Sequence, residues 1–210
     1  IAYRWDGAAG RWDALLDWAP RRQWNLWGIE SIAVDPVQPE RIYLAAGTYT
    51  NGNAGNGVIL RSTDSGTTFT QTPLPLKMGG NEEGRFSGER LAVDPAKDSI
   101  VFFGSRNDGL WRSQDFGEHW EKSAPFPVQG RTNGVGVIFV LFDRANIVAG
   151  EATRTIYVGV SAALNDAAAG VYRSSDAGAT WEKIAGQPAN FMPTRAALAK
   201  DGEFYVTYAN

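Results

Sequence analysis

The side chains able to do chemistry in these 210 residues are carboxylates, arginines and aromatics. There is one histidine, His119, and no cysteine. A thiolate nucleophile, a disulfide framework, a His-based metal site and a Ser-His-Asp triad therefore have almost no material. Neither a metal nor another cofactor is expected. The eight tryptophans are more than the length calls for; an indole face stacks well on the C–H face of a sugar, so some of them hint at carbohydrate. Lys77 to Arg90 is glycine-rich and polar, yet it carries neither Gly-Lys-Ser/Thr nor a dinucleotide fingerprint, so it is a surface loop and not a phosphate cradle. Net charge is −3 with both signs interspersed, which argues against nucleic-acid and membrane-surface partners. No apolar run is long enough to span a bilayer as a helix.

Three carboxylates stand out by their spacing. Asp64, Asp115 and Asp176 each sit in Ser-x-Asp-x-Gly-x-x-aromatic, with Gly66 and Phe69, Gly117 and Trp120, and Gly178 and Trp181 completing the copies. A short strand-like run precedes each copy. The Asp can accept hydrogen bonds from backbone N–H groups of the turn, the Gly can take a positive φ, and the aromatic leads into the next strand. The pattern describes a β-hairpin, so these aspartates read as structural. It resembles the Asp-box (BNR repeat) of sialidase-like and related β-propellers.

The copies lie about 50–60 residues apart, a period of propeller blades with room for four short strands each. The expected fold is all-β, a propeller of four-stranded antiparallel blades. Its parts are a half blade over about 1–18, blades over about 27–76, 89–124 and 135–186, and a half blade over about 195–210. A degenerate hairpin, Tyr3–Asp6 to Arg11–Trp12, forms the first half. Two arrangements are weighed: a segment of a larger, seven-bladed propeller, which is the expected one because a natural chain seldom starts in mid-strand without a Met or leader, or a closed four-bladed ring. Closure would pair Tyr3–Asp6 with Glu203–Tyr208 in antiparallel fashion.

Several stretches together resemble glycoside hydrolase family 74, the xyloglucanases, including the reducing-end-specific cellobiohydrolases. They are Ala2-Tyr3-Arg4-Trp5-Asp6, Glu30-Ser31-Ile32-Ala33-Val34-Asp35-Pro36, Gly79-Gly80-Asn81 and Gly88-Glu89-Arg90-Leu91-Ala92-Val93-Asp94-Pro95, with Gly186-Gln187-Pro188 and Tyr205-Val206-Thr207-Tyr208. The resemblance implies two facing propellers with a xyloglucan cleft between them, inverting cleavage of a β-1,4-glucan backbone, and a secreted or periplasmic location. It also implies a base in a Thr-Asp-x-Gly-Gly motif that would precede Ile1 and an acid beyond Asn210, so no catalytic residue is expected within the chain. What remains is a wall of the cleft, with the other blades and the second propeller as partners. Loops between blades carry function while strands carry packing, so the expected substrate-binding residues are Trp24, Trp27, Tyr49, Asn81, Arg85, Glu89 and Arg90. Packing against a blade edge is the competing role for the two tryptophans. An ion-pair network holding the loop competes for the three charged residues. The loop from Pro125 to Gly136 is short for an endo-acting member.

Two other functions compete. A sialidase needs three arginines converging on a carboxylate, and an Arg-Ile-Pro motif before the first box, which is absent. A non-catalytic propeller would use the same loops to grip a polypeptide or glycan.

Overall fold

The computed structural model describes residues 1–130, 135–162 and 166–209. Part of the Pro125–Gly136 loop, residues 131–134, lies outside them. The chain opens with a two-stranded hairpin, β1 (Tyr3–Asp6) and β2 (Arg11–Ala14). Residues 19–28 read as a loop, but Arg21–Trp27 form a 3-10 stretch broken at Gln23. Such short pieces leave no helical period in a sequence.

Three four-stranded sheets follow, each ordered as the chain runs. The first holds β3 (Ile29–Val34), β4 (Ile42–Ala46), β5 (Val58–Ser62) and β6 (Thr70–Pro73). The second holds β7 (Leu91–Val93), β8 (Val101–Gly104), β9 (Leu110–Ser113) and β10 (Glu121–Lys122). The third holds β11 (Gly136–Phe142), β12 (Ile156–Ser161), β13 (Gly170–Ser174) and β14 (Glu182–Lys183). A last hairpin joins β15 (Met192–Leu198) to β16 (Phe204–Ala209). Every pairing is antiparallel, as strands joined by short turns must be.

The core lies between sheets rather than within any one of them. Tyr43 and Ile59 of the first sheet meet Leu91, Val101 and Phe103 of the second. Phe102 and Leu110 of the second meet Val140, Val158 and Tyr172 of the third. Leu15, Leu16 and Leu26 close the outer face of the first sheet, and Phe204 stacks on Tyr157 of the third at 4.3 Å. Each sheet therefore buries both faces, which explains why β4 is buried at all five positions. Side chains from the innermost strands β3, β7 and β11 line one cleft, among them Ile32, Leu91 and Val140. Stacked, twisted four-stranded sheets with inner strands on a common cleft are the blades of a β-propeller.

The closed ring is not formed. Among the described residues, β1–β2 and β15–β16 are separate two-stranded sheets with no pairing between them. They are nonetheless complementary halves. In each complete sheet an arginine of the third strand faces an aromatic of the second: Arg61 opposite Tyr43, Arg112 opposite Phe102, Arg173 opposite Tyr157. Arg4, opposite Asp13 as Arg61 is opposite Thr70, and Tyr205, one step past the turn pair Leu198–Phe204, hold the same two positions in the hairpins. The chain is an arc of blades bounded by half blades.

Candidate functional site

Each blade has two ends. At one, the turn between first and second strands touches the Asp-box turn: Ser65, Phe116 and Ala177 donate their N–H groups to Glu40, Ser99 and Arg154 carbonyls. The box geometry repeats. Ser62, Ser113 and Ser174 donate to Oδ1 of Asp64, Asp115 and Asp176 at 2.7–2.8 Å. The same hydroxyls accept the N–H of Gly66, Gly117 and Gly178 at 2.8 Å. Two successive residues in each box take positive φ, for example Ala177 at 60° and Gly178 at 88°. Glycine is needed for space as well: a Cβ at Gly117 would lie 2.8 Å from the Tyr43 ring in the preceding blade. Trp120 and Trp181 donate their indole N–H back to Gly117 and Gly178 carbonyls while their rings enter the inter-blade core.

The box carboxylates are held as anions. The hydroxyl of Thr68, then its N–H, lowers Asp64 to about 2, and Thr180 does the same for Asp176. At Asp115 partial burial, which raises the pKa, is outweighed by the N–H and ring of His119 and by Ser113, again giving about 2. Such groups hold no proton to give and accept one poorly near neutrality. Asp115, Glu118 and His119 could bring three ligand atoms within 4.8 Å of one another. Two oxygens of that set already serve the turn, which makes it a poor cation site.

The opposite end carries the loops, and they differ from blade to blade. Trp24, 40% exposed, lies 6.3 Å from the Tyr49 ring at a 48° tilt. The exposed Asn81 donates its amide to the Tyr49 hydroxyl at 2.6 Å. The 3-10 stretch positions Trp24, because Asn25 next to it accepts from the N–H and hydroxyl of Thr48 and donates to the carbonyl of Asn56. Three segments distant in sequence thus bring an indole, a phenol and a carboxamide together at the surface. Trp27 does not join them fully; it is half-buried against the Leu15–Leu26 cluster.

Arg90 requires a correction. Its side chain is fully buried, so it cannot meet a ligand at this surface. It lies 3.3 Å from Glu30 and donates to the Val135 and Val137 carbonyls, while burial lowers it to about 10. Glu30 also pairs with the buried Arg106 and accepts the Gly79 N–H at 2.8 Å. Arg106 in turn donates to the Glu83 and Gly79 carbonyls. A charged knot therefore ties the 77–90 loop to two blades.

Glu89 and Arg85 are exposed, but neither pairs with the other or with Arg90. Glu89 accepts from the Ser31 hydroxyl at 2.6 Å, and Arg85 donates to the Glu82 carbonyl. Glu82 itself accepts from the N–H and hydroxyl of Thr50. Glu30, Glu82 and Arg106 were missed by the sequence reading. The available signal was Glu30, a charge in the apolar run Ile29–Val34. The register of β3 slips between Ile29 and Ser31, and that bulge re-aims Glu30 toward the loop.

This surface can stack and hydrogen-bond a neutral polyhydroxylated ligand, while Glu30 and Glu82 are tied up in holding loops. Comparison with known proteins bears on which ligand. A family model described as BNR-Asp box repeat matches residues 110–123, the second box with its flanking strand. A xyloglucanase from Paenibacillus sp is 47% identical, over 100% of this chain and 21% of its own length. Xyloglucanase Xgh74A from Acetivibrio thermocellus is 45% identical, over 100% of this chain and 26% of its own. The crystal structure of the GH74 xyloglucanase from Xanthomonas campestris matches with a TM-score of 0.91 at 46% identity, over 98% of this chain and 30% of that one. The chain thus spans about a quarter or less of the length of these curated relatives. Likeness at this level along the whole chain, in sequence and in blade geometry together, places it in glycoside hydrolase family 74.

Proposed function

We propose that this chain forms one wall of the substrate cleft in a xyloglucan-degrading, inverting glycoside hydrolase. The observation that carries the reading is the convergence of Trp24, Tyr49 and Asn81 at the loop end of the blades. The matched relatives, named xyloglucanases, supply the substrate class. Trp24 and Tyr49 stack on pyranose rings, Asn81 hydrogen-bonds ring hydroxyls, and Arg85 and Glu89 extend that polar contact along the loop. Trp27 backs Trp24, and Arg90 holds the loop from beneath. Oligosaccharide binding here orients the β-1,4-glucan backbone for reaction elsewhere, so it acts through positioning.

Inverting hydrolysis needs an acid and a base about 6.5–9.5 Å apart, with a water between base and sugar. Glu30 and Glu82 are committed to Arg106 and Thr50, so we assign both catalytic carboxyls to other parts of the full-length enzyme. Its remaining blades and a second propeller complete the cleft. Xyloglucan and its larger oligosaccharides do not cross a cytoplasmic membrane unaided, so this reading carries with it a secreted or periplasmic location.

Calorimetric titration of the purified chain with xylosylated cello-oligosaccharides tests the reading, alongside an assay for new reducing ends on xyloglucan. Saturable binding without hydrolysis is expected. Absence of binding would overturn the wall, and reducing ends above a mock preparation would overturn the assignment of catalysis elsewhere.

A further inference from the structure

Phe86 is 68% exposed, the most exposed large hydrophobic side chain among the described residues. It stands in the polar 77–90 loop, and the backbone around it is fixed on both sides. Gly84 and Gly88 take φ of 77° and 61°. A Cβ at Gly84 would lie 2.8 Å from a Val135 methyl, and one at Gly88 would fall on the Ile138 carbonyl. Ser87, buried, donates its N–H to the Gly84 carbonyl, closing a tight turn with Phe86 at its crest. The third anchor comes from across the molecule. Arg195 of β15 donates both Nε and Nη2 to the Phe86 carbonyl, at 3.2 and 2.6 Å.

Those anchors also locate the side chain. Gly88 abuts β11, the innermost strand of the third blade, and Arg195 belongs to the next innermost strand. Val140 of β11 donates to the Glu89 carbonyl, and Glu89 lines the cleft shared by the inner strands. The loop therefore runs from the first blade to the inner strands of the third and last sheets, and Phe86 stands on it beside β11 and β15, three residues from the cleft-lining Glu89. An exposed phenyl ring gains nothing for the fold by standing there. A rigid turn that holds it out has already lost the conformational freedom that binding would otherwise remove.

We propose that Phe86 is a pre-positioned stacking platform for a pyranose ring, and that Arg195 is its positioning residue. The proposal rests on the sugar-binding reading above and adds a contact separate from the Trp24 cluster. Arg195 makes its contact through the backbone of Phe86, so its loss frees the turn without removing the ring.

The test is calorimetric titration of the whole 210-residue chain with a xylosylated cellotetraose, comparing the parent with Phe86→Ala, Phe86→Trp, Arg195→Met and Trp24→Ala. The ring faces solvent, so Phe86→Ala should leave the melting temperature unchanged and weaken binding by about three- to tenfold, the usual worth of an aromatic face. Phe86→Trp should bind at least as tightly as the parent. Arg195→Met should weaken binding with a larger entropic penalty. Parent-like affinity in Phe86→Ala, alongside weakened Trp24→Ala, would overturn this inference alone. No saturable binding by the parent would overturn the sugar-binding reading and this inference together.

Discussion

The two ends of the blades are built on opposite rules. At the Asp-box end, one set of hydrogen bonds is written three times with nearly the same distances, and each aromatic drops into the core behind it. At the loop end the described loops differ in length and in most of their contacts, and two aromatics, Trp24 and Phe86, point outward. Repetition marks the end that holds blades together; variety marks the end free to take on a ligand. The loop end is not soft for that reason. A buried Glu30–Arg90–Arg106 knot ties the 77–90 loop to the blades beside it. A buried ion pair is seldom more stabilising than packed hydrocarbon, and its use here is to hold a loop in one place.

The contrast predicts where damage is largest. Glu30→Gln leaves two buried guanidiniums without their carboxylate, and should destabilise the chain by about 3–5 kcal/mol in urea unfolding. A loss below about 1 kcal/mol would mean that the knot is solvated and does not organise the loop. A smaller effect is expected at the other end. Ser174→Ala strips the buried Gly178 N–H of its acceptor and should cost about 1–3 kcal/mol, with Ser113→Ala alike because the boxes are equivalent. Widely different losses in the two variants would break the claim of equivalence.

The smallest effect is a pH dependence confined to the box end. Asp64, Asp115 and Asp176 are all depressed to about 2 from an ordinary 3.8. Depressed carboxyls stabilise the fold above the unfolded value and lose that contribution as pH falls through the folded one. Melting temperature should therefore hold above about pH 4 and decline between about pH 4 and 2. Thr68→Val and Thr180→Val remove the hydroxyl donors, bring the folded values back toward 3.8, and should shrink the decline and raise the pH at which it ends. A profile insensitive to both would contradict the assigned cause.

The sequence made the box end readable because each turn depends on neighbours within eight residues. Ser, Asp, Gly and the aromatic do their work locally, so spacing alone reveals them. Even there the positive φ of Ser65, Phe116 and Ala177 was unmarked, since no residue type announces it. The loop end depends on contacts between distant segments. Asn81 reaching Tyr49, or Arg106 reaching Glu30 from the next blade, leaves no periodic trace. Exposure of Trp24 and burial of Arg90 were equally hidden, because adjacent loop positions in one polar run face opposite ways. The open arc was the expected arrangement and is the one found, although the Arg–aromatic register makes the two half blades complementary; the placement of β1 and β16 in separate sheets separates arc from ring.

The most direct test of the division between the two ends is a paired measurement on Trp24→Ala and Ser174→Ala. Each variant is titrated with a xylosylated cello-oligosaccharide and melted in the same buffer. Trp24→Ala should lose most binding with an unchanged melting temperature, while Ser174→Ala should melt several degrees lower and bind as the parent does. Parent-like binding by Trp24→Ala, or lost binding by Ser174→Ala while still folded, would contradict that division.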